Sequence, residues 1–572
     1  MLIYIKSIIF IILFYSVERN LSFYKKNLFI IINYLAILIG IIYLIASYLF
    51  LIKLNEDYFF YFLFILFAST ILINSKNKIN LKINNLDRQT YIILLVLLIY
   101  FLLSNTFPSD TDTLRYHLFI PKLILEGKFF TNYTMDYTVL SSNEFINYAG
   151  LIFNYENASS TINLVFLFLI YKFNKFYSFF KESKFNSTIK VLTLFAIPFI
   201  ISNLSSQKLY IFPCILISII YLYLFKKRKL FLEEKIVITI TSIFVTTIKL
   251  NFILFILPIL IYILFSFKKI KFKFYYSFFV IFLSILFFFP ILYLKFKIFS
   301  EPFIPFYTFK NLVWADQFKN YILDFQLPLS IYNLFLTPLR LILPFSLNEI
   351  FFTFYFIPLL IFFVDKKYKK HFLKFSIIYF FIIIFHQNLQ HRWFLIFFII
   401  TIFLCDFNKV SKTLKSLLLT QFLGMFLITI ILVYETQLIF VNDYNSKYNK
   451  FIKDYKIIKK NQKDLIFSNT ESLYYMNKVI PLGDWEFMIQ HDKDYYKRLL
   501  SDKKNFKLIY IHHKKPDYKA LTENIFSNID YQIKKIVEKE NVIRDGRSNY
   551  WKRRYTGKKE KNFYLEMDIK IK

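Results

Sequence analysis

Long apolar runs recur from the first residues to about residue 440, and they constrain the fold more than any other feature. Runs such as 28–52 and 274–293 match the roughly 20 residues that a helix needs to cross about 30 Å of hydrocarbon. The chain of 572 residues is 57% hydrophobic and 22% aromatic, a more apolar composition than soluble domains have. The pattern predicts an α-helical polytopic membrane protein with about eleven to fourteen transmembrane helices.

The candidate spans have approximate boundaries, and several of them are short. They are 2–17, 28–52, 58–73, 90–104, 147–171, 191–204, 209–225, 236–250, 252–267, 274–293, 349–364, 372–387, 393–405 and 416–441. No small-residue cleavage site follows the first run, so we expect it to stay as a helix rather than to be removed as a signal peptide.

The loops between these spans differ in their content of Lys and Arg. When the chain is threaded through the membrane alternately, most basic loop residues fall on one side. They include "KKRK" at 226–229, "KKIKFK" at 268–273 and "KKYKK" at 366–370. An excess of Lys and Arg marks the cytoplasmic face. The large first loop at 105–146 and both termini are therefore predicted to be extracytoplasmic, and we expect the cell inner membrane as the location.

From about residue 442 the composition changes to Lys, Asp, Asn and Tyr. "FKLIYIHH" (506–513) reads as a strand, "DYKALTENIFSNI" (517–529) as a helix, and "FYLEMDIKIK" (563–572) alternates as a half-buried strand does. The sequence therefore predicts two domains, a transmembrane domain at 1–441 and a small soluble mixed α/β module at 442–572. About 130 residues are enough to enclose a hydrophobic core.

Several features argue against other classes of protein. Cys214 and Cys405 both lie in apolar runs, and no closely spaced partners suggest a metal site. The net charge of +34 and the basic, aromatic "WKRRYTGKK" (551–559) are more consistent with anionic lipid than with nucleic acid on an extracytoplasmic module. The pair His512-His513 lacks a third ligand, so two strand residues that face opposite ways are the better interpretation.

The stretch "SNTFPSDTDTLRYHLFIPKLILEGKFF" (104–130) is where the chemistry of the sequence concentrates. It places Asp110 and Asp112 beside an apolar run, together with Arg115, His117 and Lys122. Lys and Arg can extend from a membrane surface to water, but a carboxylate near hydrocarbon is costly. The Asp-Thr-Asp pattern suggests a general base or a metal ligand, and the alternative is that one Asp caps a helix starting at Thr113.

The wider pattern resembles the multi-spanning glycosyltransferases of the GT-C type, which use polyprenyl-phosphate sugars. In that family the first large extracytoplasmic loop begins with an Asp a few residues before a Tyr-His pair, and a Glu-x-x-x-Tyr element leads into the next span. The matching residues here are Asp112, Tyr116, His117, Glu144 and Tyr148. The resemblance implies a GT-C-like fold over about residues 90–440.

Three further segments are similar to later elements of the same family. "TTIKLNFIL" (246–254) resembles its Lys-containing helix end, "SEPFIPFY" (300–307) its Pro-rich loop, and "QHRWFLIFF" (390–398) its Arg-aromatic helix start. The chain departs from the pattern in having additional spans before the loop, no acid in "SSQKLYIFP" (205–213), and Ser300-Glu301 where Asn is expected.

The resemblance implies transfer of a sugar, with inversion, from a polyprenyl-phosphate donor to an envelope lipid, glycan or protein. Asp112 is the expected general base, and Asp110 is a supporting acid or a ligand of a divalent metal. The expected substrate-binding residues are Arg115, Tyr116, His117, Lys122, Glu144, Lys249, His391 and Arg392. For Lys249 and Arg392 the alternative is anchoring at the membrane interface, and for Glu144 it is helix capping.

Two other functions compete with this interpretation. A polysaccharide polymerase or ligase is also polytopic, but we expect it to rely on arginines in its large loops rather than on Asp-x-Asp. A secondary transporter usually has repeated halves and helices broken by Gly or Pro near the membrane midplane. The sequence has only seven Gly residues and shows no duplicated halves, and its acidic residues gather outside the spans.

Overall fold

The computed structural model describes most of the helical part and five strands near the C-terminus. The described residues are 2–24, 27–53, 88–106, 112–130, 135–227, 229–304, 329–345, 349–350, 352–386, 389–434, 465–468, 479–481, 505–512, 517, 519, 522–523, 530–542 and 562–571. The predicted span 58–73, Asp110, and most of the predicted helix 517–529 lie outside them.

The chain divides into two compact units. The first comprises Met1–Thr106, Ser141–Tyr293 and Gln317–Tyr434, and the second comprises Phe107–Leu140, Leu294–Asp316 and Glu435–Lys572. In chain order the α-helices are α1 Leu2–Tyr24, α2 Leu28–Leu51, α3 Arg88–Ser104, α4 Phe119–Leu125, α5 Ser142–Ile152, α6 Ala158–Phe176, α7 Lys184–Phe195, α8 Pro198–Leu204, α9 Ile211–Lys226, α10 Leu232–Ile248, α11 Ile253–Phe265, α12 Ile270–Phe299, α13 Ile331–Ile342, α14 Lys366–His386, α15 Leu395–Leu404 and α16 Lys412–Tyr434.

Within the described residues, three helices are long and apolar enough to cross a membrane: α2, α12 and α16. The bent pair α7 and α8 would make a fourth span. The outer face of α12 exposes large apolar side chains, among them Phe278, Phe282 and Ile285, as expected for a helix in contact with lipid. The structure is that of a largely helical chain suited to a membrane, and several of the other predicted spans coincide with shorter apolar helices.

The predicted span 147–171 is wrong as a single helix, because α5 ends at Ile152 and α6 begins at Ala158. Between them the chain turns back, and the Tyr155 N–H donates to the carbonyl oxygen of Gly150 at 2.9 Å. A Cβ atom on Gly150 would lie 2.7 Å from the Tyr155 carbonyl oxygen. Only glycine allows the two backbone segments to approach so closely.

The predicted span 191–204 is bent by 60° between α7 and α8. Ile197, which precedes Pro198, is extended with φ −69° and ψ 115°, because the proline ring disfavours helical geometry in the residue before it. Pro198 is the first residue of α8. At this position a backbone N–H would have no acceptor within the helix, so proline loses no helical hydrogen bond there.

The predicted span 349–364 is also not an α-helix. Its described residues form a turn and then a 3-10 helix, Ile357–Phe363. The Phe354 N–H donates to the carbonyl oxygen of Leu341 in α13 at 2.8 Å, so it is not used in a helical hydrogen bond to the residue four positions earlier. Pro358 has no N–H and cannot form such a bond either. The 3-10 helix nevertheless packs along α15.

The basic loops of the first unit contact one another at one end of its helices. The Lys226 ammonium donates to the carbonyl oxygen of Ser178 at 3.1 Å, and the Phe407 N–H donates to the Glu182 carboxylate at 2.9 Å. Ion pairs at the ends of these helices join Glu18 to Lys172, Glu182 to Lys190, Glu234 to Lys227, and Asp365 to Lys409. That this end is cytoplasmic stays a prediction.

The N-terminal part of the second unit contains the first large loop, which has helical structure of its own. A π-helical turn Thr113–His117 leads into α4, and a 3-10 helix Met135–Val139 follows. The buried Lys295 near the end of α12 donates to the carbonyl oxygen of Thr138 at 2.7 Å and to that of Ile304 at 3.0 Å. One ammonium therefore ties the 3-10 helix and the 300–304 loop to the end of α12.

The C-terminal part of the second unit is a mixed five-stranded sheet of order β2-β1-β3-β5-β4. The strands are β1 Leu465–Ser468, β2 Val479–Pro481, β3 Asn505–His512, β4 Tyr531–Val542 and β5 Asn562–Ile571. β1 pairs in parallel with β2 and β3, and β5 pairs antiparallel with β3 and β4. β3 and β5 confirm the two predicted strands. On β5, Leu565, Met567 and Ile569 are buried, which confirms the predicted alternation.

Candidate functional site

Three basic residues of the first unit lie at junctions between helices. Lys249 follows the last residue of α10 in extended geometry, before the 3-10 turn Leu250–Phe252. His391 and Arg392 begin another 3-10 turn, His391–Phe394, which leads into α15. The backbone of a junction is held by the helices on both sides, so the side chains leave it in defined directions.

Lys249 and Arg392 meet at the indole ring of Trp393. The Lys249 ammonium lies 5.1 Å from the centre of this ring and 5.2 Å from the centre of the Tyr210 ring. The Arg392 guanidinium carbon lies 5.4 Å from the centre of the same indole ring. All three distances are within the range of cation–π attraction, while the two like charges repel each other. An anion bound between them would remove that repulsion.

The guanidinium groups of two arginines carry unused hydrogen-bond donors. The Nε atoms of Arg392 and of Arg340, near the end of α13, are buried and have no hydrogen-bond partner among the residues that the structure describes. Across the same described ranges, no carboxylate forms an ion pair with Arg392. Burying a guanidinium donor without a partner is costly, and an oxyanion is the partner that a guanidinium fits best.

His391 is buried, with 5% of its surface exposed. Burial lowers the pKa of His391 from its usual 6.5, the nearby Glu349 carboxylate raises it, and the Arg340 guanidinium lowers it further. The net direction is downward, so the imidazole is neutral near pH 7. We call Lys249, Arg340, His391 and Arg392 the basic cluster.

A buried network of amide side chains supports the loop that carries Tyr210. Asn143 and Asn147 of α5 each donate to the carbonyl oxygen of Gln207 at 3.1 Å, and Asn143 accepts from the Leu209 N–H at 3.1 Å. The Ser159 hydroxyl of α6 donates to Asn147 at 2.6 Å. Sequence reasoning missed this network. The sequence signal for the network is that polar residues such as Asn143 and Asn147 recur four positions apart in otherwise apolar helices. This spacing places them on one helix face.

Glu144 acts as a helix cap. Its carboxylate accepts hydrogen bonds from the backbone N–H and the hydroxyl of Ser141, each at 2.7 Å, and the Ser141 hydroxyl accepts from the Asn143 N–H at 3.2 Å. These contacts form a capping box at the start of α5. Glu144 has no exposed surface. The structure therefore shows the capping contact that was the alternative for this residue, and a role of Glu144 in substrate binding stays a prediction.

The loop residues of the second unit keep part of the predicted pattern. Asp112 directly precedes the π-helical turn, but its side chain makes no capping hydrogen bond to that turn. Tyr116 and His117 are adjacent, with ring centres 4.3 Å apart. The Lys122 ammonium lies 4.0 Å from the Glu126 carboxylate, one turn along α4. Helix capping therefore does not explain Asp112.

Asp110 and Arg115 are the other predicted residues of this loop. Asp110 lies outside the described residues, and Arg115 lies within the π-helical turn. In the part of the chain that the structure describes, no group of three His, Cys, Asp or Glu residues could hold a metal ion. The divalent metal therefore stays a prediction that depends on Asp110.

Comparisons of the chain with protein-family models, with curated proteins and with solved structures found no match. The site is thus defined by its own geometry. In the first unit that geometry is a cluster of three fixed cations and a neutral imidazole over aromatic rings, and in the second it is a carboxylate beside a π-helical turn.

Proposed function

We propose that the protein is an integral-membrane glycosyltransferase of the GT-C type, with about eleven to fourteen transmembrane helices. It would move a sugar from a polyprenyl-phosphate donor to an envelope lipid, glycan or protein acceptor on the extracytoplasmic face of the inner membrane. The observation that carries the proposal is the buried Nε of Arg392, which has no partner among the described residues, at the same Trp393 ring as the Lys249 ammonium. This arrangement fits a phosphate group.

The charge of the reaction suits this cluster. A phosphodiester donor carries one negative charge, and the phosphate monoester that leaves carries up to two near neutral pH. Cations placed before the reaction therefore bind the leaving group more tightly than the donor, and such a difference lowers the barrier. Arg392 offers two parallel N–H donors to the phosphate oxygens, and Lys249 adds a compact charge.

The aromatic rings around the cluster would strengthen these interactions. Tyr210 and Trp393 are both buried, so they keep water away from one side of Lys249 and Arg392. Electrostatic attraction between the cations and a phosphate is stronger where water is excluded. The Tyr210 hydroxyl also donates to the carbonyl oxygen of Arg392 at 3.4 Å, which helps to hold the turn in place.

Removal of the acceptor's proton requires a base, and Asp112 is our candidate for it. A carboxylate in a loop can accept the proton of a hydroxyl group as the hydroxyl attacks the anomeric carbon of the sugar. The Asp112 side chain makes no capping hydrogen bond to the π-helical turn, and its position next to the Tyr116-His117 pair supports the choice of Asp112 as this base. Asp110 would support Asp112 or share a metal ion with it.

The experiment is a transfer assay with the full-length protein in lipid nanodiscs. A panel of polyprenyl-phosphate sugars would be offered together with extracted envelope lipids and glycans, and release of free polyprenyl phosphate would be measured. We expect release from at least one donor, and we expect Lys249→Gln and Arg392→Gln to reduce it by at least tenfold, since each removes a charged hydrogen bond.

The matched control is Lys412→Gln, which makes the same substitution at an exposed lysine at the start of α16. It should leave release unchanged. Release of a polyprenyl diphosphate, from a diphosphate-linked glycan added in a parallel assay, would instead favour the polymerase or ligase. Movement of a substrate across the bilayer of sealed proteoliposomes, without release of any lipid phosphate, would favour a transporter. Either outcome would contradict the proposal.

A further inference from the structure

Helix α13 exposes its apolar face rather than burying it. Ile331, Tyr332 and Phe335 are 78%, 72% and 80% exposed, and Leu339 one turn later is 45% exposed. These four side chains form a stripe at helical spacing. The helix has 12 residues, too few to cross the hydrocarbon core. An amphipathic helix of this kind lies along an apolar surface.

The opposite face of α13 belongs to the first unit's interior. Thr337 and Leu341 are buried at 5% and 6% exposure, and the Leu341 carbonyl oxygen accepts the Phe354 N–H at 2.8 Å. The helix is thus attached to the protein through one face while its other face stays open.

Arg340, one turn from the end of α13, is not placed as a membrane anchor would be. An arginine that anchors an interfacial helix extends its guanidinium into water. The Nε of Arg340 is instead buried and has no hydrogen-bond partner within the described ranges, and the guanidinium lies 5.3 Å from the Phe345 ring centre. It is also close enough to His391 to lower the pKa of that residue. Arg340 therefore belongs to the basic cluster.

One short helix thus carries both an open apolar stripe and an arginine whose buried Nε has no hydrogen-bond partner among the described residues. We infer that α13 binds the donor lipid itself, with Ile331, Tyr332, Phe335 and Leu339 against the prenyl chain and Arg340 at the phosphate. The inference rests on the proposed function, because that function places a prenyl-linked phosphate at the basic cluster.

The prediction that separates this role from a general contact with the bilayer is a dependence on chain length. Prenyl phosphates of one and of eleven isoprene units carry the same phosphate. Only the longer one can reach from Arg340 to Phe335, about 7.5 Å along the helix axis, and cover the rest of the stripe. We expect Phe335→Ser to weaken binding of the long-chain probe by about tenfold, as loss of an apolar contact of this size does. Binding of the short probe should change much less.

Arg340→Gln should weaken both probes by a similar factor, because it removes a phosphate contact and no chain contact. The matched control for Phe335→Ser is Phe282→Ser, which makes the same change on the exposed face of α12 and should alter neither affinity. Binding would be measured by fluorescence with the full-length protein in nanodiscs. Phe335 is 80% exposed, so its replacement should not prevent folding.

Three outcomes would overturn the inference. The first is an unchanged ratio of long-chain to short-chain affinity in Phe335→Ser. The second is equal competition by phosphatidylglycerol, which would make α13 an ordinary lipid contact. The third is the absence of a cross-link between a prenyl phosphate and a photoreactive residue introduced at position 335. If the chain-length effect appears but no donor supports transfer, the inference stands and the glycosyltransferase proposal fails.

Discussion

The carboxylate of Glu182 and the ammonium of Lys190 lie 2.5 Å apart, and each side chain is only 1% exposed. The Lys190 ammonium also rests 5.1 Å from the Phe180 ring centre and 5.4 Å from that of Phe407. The carboxylate accepts the Phe407 N–H at 2.9 Å. This pair links the start of α7 to the loop after α15, and it is buried among aromatic rings where an unpaired charge would be costly.

We therefore expect Lys190→Met to destabilise the protein by about 3–5 kcal/mol, because it leaves the Glu182 carboxylate buried without its partner. The double variant Glu182→Gln, Lys190→Met should recover much of that loss. Thermal unfolding in detergent, followed by tryptophan fluorescence, would measure both effects. A double variant as unstable as the single one would mean that packing, rather than charge, is what Lys190 contributes.

The fold was predictable where local sequence decides it. Most of the apolar runs became helices, and the alternation in β5 became a strand with Leu565 and Met567 buried. Two of the failures lie where a specific backbone contact interrupts an apolar run. At Gly150 the turn depends on the approach of Tyr155, and at Phe354 it depends on the carbonyl oxygen of Leu341. Hydropathy contains no information about either contact.

The candidate site was predictable in its residue types but not in its partners. A lysine at a helix end and an arginine before an aromatic run were visible in the sequence as Lys249 and Arg392. Their meeting at the Trp393 ring, and the burial of His391, depend on how α10 and α15 pack, which spacing along the chain does not determine. Glu144 is a different case. Its short-range contacts were predictable, because the capping box at the start of α5 involves only residues 141–144, whereas the family resemblance suggested substrate binding.

Glu144 allows a direct test of capping against substrate binding. Glutamine can replace glutamate in a capping box because its side-chain oxygen still accepts the hydrogen bonds. We expect Glu144→Gln to keep both stability and sugar transfer, and Glu144→Ala to lose about 1 kcal/mol or more of stability. Unfolding temperature and transfer rate would be measured on the same preparations. A stable Glu144→Gln variant with greatly reduced transfer would show that the charge of Glu144 serves the substrate.

His391 should make stability depend on pH. Its pKa in the folded protein is below the usual 6.5, chiefly because of burial, so the unfolded chain binds a proton more readily than the folded one. Stability is therefore complete above about pH 6.5 and is lost as the pH falls below that value. We expect the unfolding temperature to fall less between pH 7 and pH 5 in His391→Gln than in the unsubstituted protein. Parallel curves would mean that His391 has no such shift.

Asp112 gives the most direct test of the proposed chemistry. Asp112→Asn keeps the size of the side chain and removes its basicity, so transfer should fall by about 10²–10⁴-fold, the usual contribution of a general base. Asn can still make hydrogen bonds at this position, and the Asp112 side chain makes no capping hydrogen bond to the π-helical turn, so we expect the unfolding temperature to change little. Binding of polyprenyl phosphate to the basic cluster should also be unaffected, since no phosphate contact is removed.

Asp110→Asn is the matched control for this prediction, since it makes the same change two residues away. If Asp110 only supports Asp112, the control should lose less activity, and if the two share a metal ion, both variants should lose similar activity and added divalent cation should change the loss. Transfer rates, unfolding temperatures and phosphate binding would be compared for the two variants. Near-normal transfer by Asp112→Asn with an inactive Asp110→Asn would identify Asp110 as the base, and two active variants would refute a carboxylate mechanism in this loop.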